Sequence, residues 1–140
     1  MPLVRIDVYE STPSAQREAI AAAVYEAMRE AIGIPEGDRF IVVNAHNAEQ
    51  LFVDRSFMGA ARTERFVLVQ IFLSRGRTVE QKQALFAFIA EKLRLAIGIA
   101  GDDVMTVLTE NSLSDWSFGK GVAQYVSNPP AWASALAAGD

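Results

Sequence analysis

The sequence contains no cysteine and only one histidine, His46. The first absence excludes disulfides, thiol nucleophiles and thiolate metal sites, and the second excludes a multi-histidine metal centre. No metal and no other cofactor is expected. Positive charge is also scarce: 13 Lys and Arg stand against 17 Asp and Glu, for a formal net charge of -4 at pH 7. The basic residues are scattered, so no field draws in a phosphate backbone and nucleic acid is not an expected partner. Long apolar runs are missing as well, which argues against a membrane span. The start, MPLVRIDVYE, carries acidic residues where a secretion signal needs an apolar core, so a cytoplasmic protein is expected. With 140 residues, 51% of them hydrophobic, the chain has material for one core, and a single domain over 1–140 is expected.

What is present is one pattern written twice. Leu3 to Tyr9 alternates and is rich in branched side chains, the mark of a strand with two unlike faces. Thr12 as cap and Pro13 as first helical residue predict a helix, and Gly33 with Pro35 predicts its end. Ile20, Val24, Met28 and Ile32 recur along it at helical spacing, and Arg39 to Asn44 resumes as strand. The order then repeats, with a strand from Phe66 to Leu73, a helix from Thr78 to Ala96 and a strand from Val104 to Leu108. Thr78 and Gln81 have the spacing of a capping box, and Leu85, Ile89 and Leu93 form the apolar stripe. Ala31-Ile32-Gly33-Ile34 recurs as Ala96-Ile97-Gly98-Ile99, 65 positions on. At the same shift Gln16 falls on Gln81, Glu26 on Glu91, Arg29 on Arg94 and Asp38 on Asp103.

The fold class that follows is α/β (α+β), with tandem duplicated βαβ units forming a four-stranded sheet and two helices on one face. Repeat one runs over about 2–44, repeat two over about 66–109, and a tail over 110–140. The uncovered sheet face calls for a homo-oligomer. The linker from Ala45 to Glu64 contains Leu51 to Asp54, LFVD, with the look of a short edge strand.

The repeats differ where chemistry is possible. Pro2 corresponds to Val67, an internal residue without a free amine, and Arg75 and Arg77 correspond to Glu10 and Thr12. Proline after the initiator methionine is small enough for bacterial-type aminopeptidases to act, so Pro2 is expected at the mature terminus. A terminal secondary amine can serve as acid, base or iminium-forming nucleophile. Two arginines one residue apart can grip a carboxylate with their planar forks, or simply solvate a loop. His46 is expected to be structural or exposed.

These residues resemble the tautomerase superfamily, and within it the malonate semialdehyde decarboxylase branch. The likeness runs through MPLVRIDV, IGIPEGDRF, SRGRTVEQK and DDVMTVLTENSLSDWSFGKGVAQY, of which SDWSFGKG is the most specific stretch. It implies a homotrimeric, cofactor-independent enzyme acting on a small oxo acid. By position it implies that Pro2 is the catalytic amine, that Asp38 stands beside it, and that Arg75 and Arg77 bind the substrate carboxylate. Trp116 and Phe118 match an apolar wall, and Tyr125 lies at a further position of that pocket. Asp38 also recurs as Asp103, which fits a turn role ahead of a strand. The activity implied is decarboxylation of a 3-oxo acid of malonate semialdehyde type. The same groups also suit phenylpyruvate-type keto–enol tautomerisation or hydration of unsaturated or haloacrylic acids, and a non-enzymatic trimeric carboxylate-binding module uses the arginines alone.

Overall fold

Alternating branched residues build the sheet, and helical stripes cover one side of it. In a computed structural model of the chain, which describes residues 1–134, β1 (Pro2–Tyr9), α1 (Ser14–Ile32) and β2 (Ile41–His46) form the first unit. The second unit is β3 (Val67–Ser74), α2 (Val79–Ile97) and β4 (Val104–Asn111), and a short α3 (Gln124–Ser127) follows. The sheet order is β2-β1-β3-β4. β1 pairs parallel with β2 and β3 parallel with β4, while the two units join through antiparallel β1 and β3.

That central pairing sets Pro2 opposite Leu73 and Val8 opposite Val67. Since Val67 and Leu73 are the repeat equivalents of Pro2 and Val8, the two units are related by an approximate twofold, and each begins where the other's first strand ends. Val4, Ile6 and Val8 of β1 and Val67, Val69, Ile71 and Leu73 of β3 pack with Ile20, Val24, Met28, Leu85, Ile89 and Leu93 in one core. Both expected helical stripes are therefore the buried ones, on one face of the sheet. The opposite face is less well covered: Val42, Met105 and Val107 are exposed there. Among the described residues no helix is long and apolar enough to cross a membrane.

Local chemistry explains the boundaries. Gly33 and Gly98 end α1 and α2 in left-handed conformation, φ 66° in each, where a Cβ is disfavoured. The isoleucine that follows each, Ile34 or Ile99, turns back into the core. Thr78 caps α2 as expected, with a reciprocal capping box to Gln81. The first helix departs from expectation: it starts at Ser14, Pro13 holds the capping position, and no side chain caps the helix. Thr12 instead lies in a turn, where its amide donates to Tyr9 O at 2.9 Å. Leu51 to Asp54 is not a strand either. Its backbone has no ladder partner; Leu51 O accepts from the Tyr9 hydroxyl at 3.0 Å, and Phe52 projects outward. His46 pairs with Asp7, Nε2 to Oδ1 at 2.6 Å.

Asp103 is buried at 2% exposure, where Thr63 donates to it from both its amide and its hydroxyl, each at 2.6 Å. This carboxylate ties the linker to the start of β4. Asp103→Ala leaves both Thr63 donors without their partner and is expected to destabilise the fold by about 2–3 kcal/mol, read as a lowered midpoint in urea unfolding.

Candidate active site

The sheet topology gathers one cluster from five separated parts of the chain. Antiparallel pairing places the start of β1 beside the end of β3, so the loop Arg75-Gly76-Arg77 opens next to residues 1 and 2. Parallel pairing places the residues before β2 at the same edge: Val4 pairs with Ile41, and its amide donates to Phe40 O at 2.9 Å. Asp38 follows from that pairing. Ser74 pairs with Asn111 on the other side, which brings the tail after β4 to this end too.

The cluster surrounds a cleft of about 330 Å³ lined by Met1, Ile32 to Pro35, Arg75 to Arg77, Gln81 and Trp132. The amine of Met1 lies 3.6 Å from Asp38 Oδ2. Asp38 Oδ1 is buried without a hydrogen-bond partner. Such an atom carries a desolvation cost that folding alone does not explain. Pro2, next in line, is buried at the start of β1.

The two arginines are held differently. Arg75 is exposed; its Nη2 donates to Ser112 Oγ at 2.9 Å and its amide to Asn111 O at 2.9 Å. Arg77 is half-buried, with Nη1 donating to Ser74 O at 2.7 Å and its guanidinium 5.7 Å from the Trp132 ring centroid. Most of its donors stay free for a ligand. Burial lowers the pKa of Arg77, against the charges of Glu110, Tyr125 and Asp38. Burial likewise holds the amine of Met1 below its ordinary range; Arg77 adds to that shift, and Asp38 opposes it by charge. Tyr125 is pushed upward by burial first and then by Asp38, with Arg77 opposing. Amine, carboxylate, guanidinium and phenol therefore share one electrostatic site. The N-terminus of α2, immediately after Arg77, adds partial positive charge.

The expected aromatic residues form a series behind this cleft. Trp116 stacks on Phe118 at 5.8 Å, Phe118 meets Tyr125 edge-on at 4.8 Å, and Tyr125 meets Trp132 edge-on at 6.2 Å. Trp132 is the member that lines the cleft itself. Trp116 is tied down by its indole N–H, which donates to Asn111 Oδ1 at 2.8 Å. The structure thus brings Asp38, Arg75 and Arg77 to the amine of Met1, couples Tyr125 by charge to Asp38 and Arg77, and leaves Trp116 and Phe118 outside the cleft lining. Sequence reasoning missed Trp132 and Glu110. The register of β4 beside β3 was the available signal for Glu110, which pairs with Leu73; an isolated aromatic beyond a Pro-Pro pair was the only one for Trp132.

The other end of the sheet shows what repeat two did with the same geometry. A smaller recess of about 260 Å³ is lined there by Ser11, Thr12, Gln16 and Ile99, the repeat equivalents of Gly76, Arg77, Gln81 and Ile34. Arg65 enters it and donates to the helix-ending carbonyls of Gly98 at 3.0 Å and Ile97 at 2.6 Å. The corresponding carbonyl-bearing residues of repeat one, Ile32 and Gly33, line the open cleft. Asp103 is occupied by Thr63, whereas its equivalent Asp38 faces the amine.

Known proteins share this fold. Residues 38–119 match a family described as tautomerase enzyme, and residues 2–60 match a second family of the same description. Probable tautomerase YusQ of Bacillus subtilis (strain 168) is 31% identical over 126 residues, 90% of this chain and 99% of its own. The structure of FG41 malonate semialdehyde decarboxylase inhibited by 3-bromopropiolate is 43% identical, with a TM-score of 0.85 over 92% of this chain and 98% of that one. A further malonate semialdehyde decarboxylase, described for both decarboxylase and hydratase activities, is 31% identical with a TM-score of 0.85 over 91% of this chain and 98% of that one. Duplicated units, sheet order and sequence agree along nearly the whole length, and the chain accordingly belongs to the tautomerase superfamily of enzymes, in its malonate semialdehyde decarboxylase-like branch.

Proposed function

We propose that this enzyme decarboxylates a small 3-oxo acid of malonate semialdehyde type, using the amine of Pro2 after removal of Met1. The observation that carries the reading is the Met1 amine, one residue before Pro2, 3.6 Å from Asp38 in a cleft that Arg75 and Arg77 also line. Removing Met1 leaves a secondary amine at the head of β1, on the strand that already points into this cluster. In this reading Arg75 and Arg77 bind the carboxylate and hold its scissile bond perpendicular to the carbonyl plane. The bond's electron pair moves into the enol double bond as carbon dioxide departs. The oxygen takes a proton from the Pro2 ammonium, which Asp38 orients and stabilises. Protonation of the enol at carbon by water, with return of the oxygen's proton to Pro2, then gives the aldehyde. Trp116, Phe118 and Tyr125 support this arrangement by limiting water around the carboxylate.

A second reading has its own observation. Burial and Arg77 both lower the pKa of the Met1 amine, and a Pro2 amine uncovered at the same cleft meets the same two influences. A neutral Pro2 serves as base for keto–enol tautomerisation of a phenylpyruvate-type acid or for hydration of an unsaturated acid, and also as the nucleophile of an iminium route to decarboxylation. The exposed apolar residues Val42, Met105 and Val107 on the open sheet face support a homotrimer built through that face.

Pro2→Ala and Arg75→Ala are each expected to lower kcat/KM for malonate semialdehyde by about 10²-fold or more; unchanged turnover in both variants defeats the proposal. Asp38→Ala should lose comparable activity with little change in the urea midpoint, because removing the unpartnered buried Oδ1 offsets loss of the Oδ2–amine pair. The amine titration separates the routes: Asp38→Asn removes the negative charge that favours the cation and is expected to lower the amine pKa, while Arg77→Met removes a repelling cation and is expected to raise it. Both shifts are read by NMR titration of the terminal residue. Activity that rises with pH through that titration assigns the neutral amine, and activity that falls assigns the cation.

A further inference from the structure

The tail after β4 contributes an aromatic face that the repeat does not account for. Residues 131–133 form a single turn in which the Ala133 amide donates to Pro130 O at 2.9 Å. Ala133 is itself buried, so this turn is docked against the body of the protein. The docking sets the Trp132 ring 5.7 Å from the Arg77 guanidinium, with Tyr125 edge-on behind the indole at 6.2 Å. Arg77 also donates through Nη1 to Ser74 O at 2.7 Å. Arg77 is thus held by both a carbonyl and a π face. Arg75 has no aromatic partner among the described residues and stays exposed.

An arginine on a four-bond stem loses side-chain entropy when it binds a ligand, and a half-buried guanidinium also loses hydration. A ring against its face offsets both without consuming an N–H donor, because the cation–π contact uses the plane of the guanidinium and the ligand uses its edge. The contact also strengthens as water is excluded. We infer that Trp132 is a positioning residue that pre-sets Arg77 for a carboxylate, so that the two arginines divide the work: Arg77 is the fixed anchor and Arg75 the adjustable one. The inference rests on the reading of Arg77 as a carboxylate ligand, and the substrate class it implies is a small acid whose carboxylate reaches the inner end of the cleft.

The test uses the full chain and malonate, an unreactive dicarboxylate, so that binding is read without turnover. Calorimetric titration of Trp132→Ala and Trp132→Leu is expected to show malonate affinity reduced by about five- to tenfold, with Trp132→Phe retaining affinity within about threefold of wild type because it keeps an aromatic face. The Arg77 side-chain NMR signals, assigned by their loss in Arg77→Lys, should carry a ring-current shift that disappears in Trp132→Leu and persists in Trp132→Phe. With malonate semialdehyde, KM should rise more than kcat falls in Trp132→Leu. Trp132→Leu that binds malonate as wild type does overturns the inference, since bulk without a π face then suffices, and so does an Arg77 shift that does not respond to Trp132. The proposed reaction fails separately, if wild-type protein binds malonate through Arg77 and leaves malonate semialdehyde unchanged.

Discussion

The antiparallel contact between β1 and β3 is the constraint from which the rest follows. It joins two units that cannot each bury an apolar sheet face and helical stripe alone, and it merges their stripes into one core around Ile6, Ile71, Met28 and Leu93. Because the paired strands are repeat equivalents running in opposite directions, the head of each lies against the foot of the other. A chain end placed at the head of β1 is thereby carried to the loop that follows β3. No long-range loop is needed to assemble the site; the hydrogen-bond register does it.

The same symmetry predicts two clefts, and the molecule uses them unlike each other. At the head of β3 the chain is continuous, so Arg65 fills the recess and caps the carbonyls that end α2, while Asp103 clasps Thr63. At the head of β1 the Met1 amine lines the cleft beside Asp38. Ile32 and Gly33 stay open to the cleft, and Asp38 keeps one buried oxygen without a partner. One end relieves its buried polar groups with protein, and the other leaves them facing an amine and an open cleft. The half-buried Arg77 and the lowered amine pKa are consequences of that difference, since both arise first from burial at an end whose polar groups are only partly matched.

Legibility in the sequence tracked the range of the interactions involved. The apolar stripes, the glycine helix ends and the Thr78–Gln81 box were all readable, because each depends on residues within one or two helical turns. Thr12 was misleading: its residue type and its proline neighbour fit a cap, yet the turn after Tyr9 uses its amide and leaves Pro13 at the boundary. Leu51 to Asp54 looked like a strand by composition, but a strand needs a free edge, and at that point the chain meets the Tyr9 hydroxyl in place of a backbone ladder. Trp132 carried no periodic signal, since its role comes from where a short docked turn happens to place it.

The sequence by itself determined the duplicated units, their helical and strand periods, and the fact that Pro2 and the Arg75–Arg77 pair have no equivalents in the other copy. Those are properties of neighbouring residues and of one repeat compared with the other. Tertiary structure decided that Asp38, the terminal amine and Arg77 share a field, that Arg75 and Arg77 are held in different ways, and that Trp132 faces the cleft. The reason is physical: burial and charge coupling act through space over a few ångströms, between residues that β-register and a docked tail bring together from positions far apart in the chain.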